Sequence, residues 1–461
     1  MLLMRDAKGF FRPAGAGFMT ANSATMTAQR RGLGTPVDLP VLDVADRPMG
    51  TFFLLCAALY LGIYALEAPV RYVLYLEGKD NFILARDGLI FGSLALLVFA
   101  DALKLRLHPA FLIFGALTAF HGLVLIGTVG SGLGAAYGVK IVINLLFGFF
   151  VAERLLYPGS KLLGFLVLLW IVTIVGVCLD KFVMTFPWTG IKTIVGDLNV
   201  DVSKDWEITN EVARRAAGFT RSSISSAVLL PLLGIVLMCR ARNFFVRAGF
   251  AIGTLGADFL TTQKGSIAAF APVAAVLCLE RLNRILLLRL LIVTFAMAAV
   301  GLPFLLIDLH FGQGSGVFSM QSLDSRVSET WPEAWNWIQH RQLFAFGVGL
   351  GGIGGPQRIY APGSFNPADN FFILLFAFFG VFGILYLLIL CLSAMRRVTG
   401  SPARMIAALA IVAFLLGYGA VLSILEDQAA TLFLGAAIGV IVVETRTQER
   451  AARMPLVSAV D

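Results

Sequence analysis

The chain has 461 residues, of which 58% are hydrophobic and only 14% charged, and its mean hydropathy is +0.85. That balance sets aside the soluble globular classes and indicates an all-α polytopic membrane protein. The net charge of +8 does not point to nucleic acid, because the lysines and arginines punctuate the apolar runs instead of gathering in one domain. Cys56, Cys178, Cys239, Cys278 and Cys391 all lie in apolar segments without paired spacing, so neither a disulfide framework nor a zinc site is indicated.

In chain order, residues 1–47 hold six basic residues among Gly, Ala, Ser and Thr, with no apolar run of signal-peptide length. They read as a cytoplasmic disordered tail. From Thr51, runs long enough to cross a bilayer recur near 51–70, 88–103, 109–128, 134–152, 162–185, 223–239, 246–261, 265–280, 286–308, 367–394, 404–423 and 428–445. About twelve transmembrane helices are therefore expected, in a catalytic domain over 48–445. The basic connections 104–108, 153–161, 240–247, 280–289 and 395–404 fall on the side of the N-terminal tail, as does the 446–461 tail. The positive-inside rule puts that side, and both termini, in the cytoplasm. Two outer segments are long, 186–222 and 309–366, the second being a large loop between helices nine and ten. No internal repeat relates the two halves.

The stretch 321–374 is the longest polar interruption of the apolar pattern. Hydrocarbon cannot satisfy so much irregular backbone, and we read it as a lid over a site at the outer face. Thr330, Trp331, Pro332 and Glu333 have the form of a capping box with proline just inside a helix over 331–340. Trp331, Trp335 and Trp337 suit a membrane interface better than sugar stacking. The run GVGLGGIGG (347–355) lacks the strand–helix surroundings of a dinucleotide fingerprint and reads as a flexible turn that lets backbone approach something closely. Asp369 stands where an acid is either a reactive group or a helix N-cap.

Cations gather on the same outer side: Arg214, Arg215 and Arg221 before span six, Lys264 between spans seven and eight, and Arg326 in the long segment. Cations at a bilayer surface also snorkel to lipid phosphates, but the positive-inside bias makes that account weaker outside than inside.

These motifs, in this order, resemble the O-antigen ligase and O-antigen polymerase superfamily of bacterial envelope enzymes. The resemblance covers roughly residues 210–390. It rests on Arg215-x-x-Gly218-Phe219-Thr220-Arg221-Ser222, Thr262-Gln263-Lys264-Gly265, Ser325-Arg326 followed by Trp331 and Trp335, Phe346-Gly347-Val348-Gly349, and Asp369-Asn370 with Gly380. The family usually has His-Asn where this chain has Asp369-Asn370, and Ser-Arg-Gly where it has Gln263-Lys264-Gly265. A carboxylate can do the work of the imidazole, and an ammonium still binds phosphate as a point charge.

The resemblance implies a multi-span glycosyltransferase of the bacterial inner membrane, without metal or other cofactor. It would act at the periplasmic face on undecaprenyl-pyrophosphate-linked oligosaccharides, inverting the anomeric centre. Arg215, Arg221, Lys264 and Arg326 are then expected to meet the charge that develops on the departing pyrophosphate. Asp369 is expected to accept the proton of the acceptor hydroxyl, and Asn370, Trp331 and Trp335 to position acceptor or loop. His340 is held in reserve as a base; His310 is the other outer histidine, while His121 and His108 are not expected to participate. A repeat-unit polymerase, with a chain-length regulator as a possible partner, and a ligase passing a finished chain to lipid A–core or protein both remain open. From another class, a flippase or transporter would use ionisable groups near the midplane, for which Glu67, Lys140 and Asp258 are the nearest candidates.

Overall fold

The computed structural model describes residues 48–104, 107–195, 198–204, 214–279, 282–306, 320–341, 344–398 and 400–453. The N-terminal tail, all of 307–319 with His310, residues 205–213, and 454–461 lie outside the described residues.

The chain begins with α1 (Pro48–Ala65), α2 (Glu67–Leu76), α3 (Leu84–Ala102), α4 (Pro109–Val129), α5 (Gly132–Leu156) and α6 (Ser160–Phe182). An antiparallel hairpin follows, β1 (Lys192–Val195) with β2 (Leu198–Asp201), pairing Lys192 with Asp201. With an isolated bridge between Thr189 and Ser203, it is the departure from an all-helical chain among the described residues, and it lies within 186–222. Then come α7 (Ser223–Arg240), α8 (Phe244–Leu260), α9 (Lys264–Cys278), α10 (Arg284–Leu305), α11 (Gln321–Ser325), α12 (Trp331–Gln339) and α13 (Gln357–Tyr360). The chain closes with α14 (Phe371–Phe379), α15 (Val381–Met395), α16 (Pro402–Gly419) and α17 (Gln428–Arg453).

Among the described residues eight helices are long and apolar enough to cross a membrane, or nine if α1 and α2, bent by 77°, count as one. The protein is thus helical and built as a multi-pass membrane protein. Each of the twelve ranges expected from the sequence overlaps a helix, but not every one is a full-length span. Helix α8 has 17 residues and α9 has 15, with Pro272 inside it. The expected span 367–394 is two pieces, α14 and α15, meeting at Gly380. Gly380 sits at φ +59°, and a Cβ there would lie 2.4 Å from Gly347 N. The break is filled by loop backbone: Val348 N–H donates to Ala377 O at 2.7 Å and Val381 N–H to Phe344 O at 3.2 Å. These bonds satisfy backbone groups that the interrupted helix leaves without intrahelical partners.

The glycine-rich run is packed, with residues 347–354 all buried, and it makes the close backbone approaches expected of it. Its close approaches are to Leu125 of α4, Gly134 and Gly138 of α5 and the Glu426 side chain.

The core is one large cluster with a small second one around Phe186 and Trp188, and the tightest seam of the large cluster joins α5 to α17. A Cβ on Gly148 would fall 2.0 Å from Leu432 O, and one on Gly435 2.0 Å from Leu145 O. Small residues permit such close backbone contact between apolar helices, and here they fix the N-terminal end of α17 against α5.

Candidate active site

One end of the bundle gathers the N-terminal ends of α7, α9, α14 and α17 with the C-terminal ends of α6, α10 and α16. The contacts that bring them together are specific. Gln263, ahead of α9, donates to Ser223 Oγ at the start of α7 (3.1 Å) and accepts from the Tyr418 hydroxyl near the end of α16 (3.4 Å). Asn370, ahead of α14, donates to Ala299 O of α10 (3.0 Å) and to Ala420 O past α16 (2.9 Å). Helix N-termini carry partial positive charge and unpaired N–H groups, so their convergence favours an anionic ligand.

Arg215 stands on a loop held by an acid of α6. Asp180 accepts from Ala217 N–H (2.8 Å) and Gly218 N–H (3.0 Å) and pairs with Arg214. Arg214 is therefore spent on the scaffold, and its neighbour Arg215 is presented to the site. Burial lowers the Arg215 guanidinium below its ordinary range and the charge of Arg326 adds to the effect, while Tyr418 and Asp369 oppose it. The charge of Lys264, the first residue of α9, acts together with that of Arg215.

Arg326 opens a π-helical turn, Arg326–Thr330, between α11 and α12. Single π turns inside helices are frequent at functional sites because they re-aim side chains. The Arg326 Nη1 is anchored on Ser322, donating to its carbonyl at 2.9 Å. Its Nε stands 3.2 Å from Asp369 Oδ2, near enough for an ion pair but off the line a hydrogen bond requires. The Nε atoms of Arg215 and Arg326 are both buried without a hydrogen-bond acceptor among the described residues.

The expected capping box does not form. Thr330 is helical (φ −62°, ψ −47°) and makes no side-chain cap, because the chain already turns helically through Arg326–Thr330. The helix itself matches the expectation, ending at Gln339. Trp331 is buried and its Nε1 donates to Asp369 O at 3.3 Å. Trp335 stacks on Phe376 with ring centroids 5.2 Å apart and meets Phe304 edge-on at 5.4 Å. Both rings pack on protein and support the loop. His340 is exposed and bonds back to Asn336 O of its own helix at 2.7 Å.

Asp369 does not cap α14. That task falls to Asn370, whose Oδ1 accepts from Ile373 N–H at 3.0 Å. Instead Asp369 and Ala368 both adopt left-handed backbone, at φ +44° and +61°, and the third such non-glycine residue, Thr262 at +59°, lies two residues before Lys264. Such residues cost of order 1–3 kcal/mol and persist where the surroundings over-determine them, which is common at functional sites. Replacing Asn370 with alanine removes the cap and two inter-helix bonds. The expected result is a loss of about 2–4 kcal/mol, read as a lower Tm of the purified protein.

Arg221 belongs to a neighbouring group of charges. Its Nε donates to Asp201 O of β2 at 3.3 Å. Burial lowers its guanidinium, Arg71 and Arg86 add to this, and Glu67 and Tyr137 oppose it. Within that group Glu67 is buried between Arg71 Nε (2.7 Å) and Arg86 Nη1 (2.5 Å), and Lys140 pairs with Asp87 at 2.6 Å. So Arg326 and Asp369 meet directly, Arg215 lies within electrostatic reach of both and Lys264 within reach of Arg215, while Arg221 sits in the adjoining group.

Two residues that the sequence reading passed over link the groups. Burial lowers the Lys204 amine to about 8, with Arg221 and Arg358 adding and Glu426 and Asp201 opposing. Burial raises the Glu426 carboxyl to about 7; Asp369 adds to that rise, and Gly355 N–H, Lys204 and Arg358 oppose it. The signal for Glu426 was its place beside Asp427, just ahead of the last apolar run. Among the described residues no three His, Cys, Asp or Glu side chains come together as a metal site would need. Comparison with protein-family models, curated proteins and solved structures finds no match to this chain.

Proposed function

We propose that the protein is a polymerase of undecaprenyl-pyrophosphate-linked oligosaccharide repeat units, working at the periplasmic face of a bacterial inner membrane without a metal. What supports the reading is Arg326 paired with Asp369 at 3.2 Å, with Arg215 in electrostatic reach of both and Lys264 beside Arg215. In this reading α1, α3 to α10, the broken α14–α15 pair, α16 and α17 make twelve crossings, which puts the site and the long segment 309–366 on the outer side and both termini in the cytoplasm.

The acceptor hydroxyl gives its proton to the Asp369 carboxylate as its oxygen attacks the anomeric carbon from the face opposite the leaving group. The anomeric C–O bond breaks, and its electron pair stays on the pyrophosphate oxygen. Arg326, Arg215 and Lys264 meet that charge, with arginine's fork suited to phosphate oxygens, and the convergent helix N-termini add to the field. Arg221 and Lys204 line the next wall and keep the entrance positive for anionic substrate. Trp331, Trp335 and Asn370 hold Asp369 and its loop in place.

The test is purified protein incubated with the lipid-linked repeat unit alone. A ladder of polymer is expected, equally strong in excess chelator. Product that forms only when a separate acceptor is supplied would make the protein a ligase, and transport of the lipid without any new glycosidic bond would make it a flippase.

A further inference from the structure

The glycine-rich turn is folded around a carboxyl group. Glu426 Oε1 accepts the Gly355 N–H, and Gly354, at φ +77°, lacks a Cβ that would otherwise lie 2.2 Å from the same oxygen. From this turn a run of hydrogen bonds leads to the strained pair. Gly354 N–H donates to Asn366 O (3.0 Å), Asn366 N–H to Gln357 Oε1 (3.0 Å), and Ala368 N–H to Asn366 Oδ1 (2.7 Å). Gln357 and Asn366 are buried, so these amides have few alternative partners. Ser423, on the same short connection as Glu426, donates to Pro367 O at 2.7 Å.

We propose that Glu426 is a positioning residue for Asp369: its carboxyl clamps the Gly354–Gly355 turn, and the clamped turn holds Ala368 and Asp369 in the left-handed backbone that presents Asp369 to Arg326. Asp369's importance for transfer rests on the function proposed above, but the clamp itself does not.

The groups facing Glu426 are Lys204 after β2, Arg358 of α13 and Asp369, with Tyr137 of α5 flanking Gly355. Asp427, beside it in sequence, takes the Tyr64 hydroxyl at 2.5 Å and the Ala430 N–H at 2.9 Å. Burial raises the Glu426 carboxyl to about 7 from an ordinary value of 4.5. Between those values the folded protein holds a proton that the unfolded chain has released. Its contribution to stability is therefore fully present below the ordinary value and is lost as pH rises through about 7. Once ionised, Glu426 repels Asp369 and draws on Lys204 and Arg358, so the tightness of the clamp changes over that range.

Hydrogen–deuterium exchange over 347–369 in the purified full-length protein in lipid nanodiscs, corrected for the intrinsic rate from pH 6 to 8.5, needs no substrate. The expected wild-type result is a change in protection centred near pH 7. Glu426→Gln keeps the acceptor oxygen and should stay protected without that transition. Glu426→Ala should exchange at least ~10-fold faster throughout; if it fails to accumulate, Gly354→Ala, which drives a Cβ into the carboxyl, should do the same. Polymer formation should follow, with kcat kept but its pH profile displaced in Glu426→Gln, and kcat lowered at unchanged donor KM in Glu426→Ala. Wild-type protection in Glu426→Ala or Gly354→Ala, or an unshifted transition near pH 7 that survives in Glu426→Gln, overturns the clamp; a step near pH 8, where Lys204 titrates, does not count as that transition. The expected exchange pattern in a protein that makes no polymer upholds the clamp and overturns the transfer reading instead.

Discussion

Arg326→Ala is expected to abolish polymer while the protein accumulates normally in the membrane. Removing one preorganised donor aimed at developing negative charge typically lowers kcat by ~10²–10³, about 3–4 kcal/mol. Arg326 is such a donor: its Nη1 is anchored on Ser322 and its Nε is buried without a hydrogen-bond acceptor beside Asp369. Little folding energy is at risk, because the surroundings of the π turn hold through Trp331 and Asn366, the latter donating to Thr330 O at 2.9 Å. Arg326→Lys should recover only part of the loss, since an ammonium restores charge without the planar fork. Arg221→Ala should cost less than Arg326→Ala, because Arg221 sits among Arg71, Glu67 and Arg86. Polymer length on gels, normalised to protein in the membrane, reads all three; full-length polymer from Arg326→Ala would remove that residue from the mechanism.

Asp369→Asn should lower kcat by ~10²–10⁴, the usual worth of a positioned proton acceptor, with Tm unchanged. The separation of the two readouts follows from the cap. Asn370 and not Asp369 accepts the Ile373 N–H, and the Asp369 contact with Trp331 runs through its backbone oxygen. Asparagine also tolerates left-handed backbone better than most residues. The substitution thus removes the proton acceptor and the ion pair and leaves the helix start intact. Wild-type activity in Asp369→Asn would mean that the acceptor proton goes elsewhere.

Much of this was legible in the chain because apolar runs and their polar interruptions are local properties. The start of every long helix fell within a few residues of its expected place, and the helix beginning at Trp331 was visible from its proline. The order Arg215, Lys264, Arg326, Asp369 was legible too, since cations at the ends of apolar runs stand out. The break at Gly380 was not, because the backbone that fills it comes from residues 344–348 and no local pattern announces that contact. The π turn hid in the same way: its residues have ordinary helix propensity, and the expected cap at Thr330 gave way to continuous helical backbone. Arg221's separation from Arg326 depends on the β1–β2 hairpin and on α2, both placed by tertiary packing. Glu426 sat at the end of a span where an acid reads as a cap, and the residue that caps α17 is its neighbour Asp427, through Ala430.

The most direct test of the account is binding of undecaprenyl pyrophosphate to the purified protein in nanodiscs, measured for wild type, Arg215→Ala, Lys264→Ala and Arg326→Ala. The account predicts saturable wild-type binding that weakens at least ~10-fold in each variant, as expected when a charge-assisted phosphate contact is lost. Equal affinity in all four proteins would contradict it.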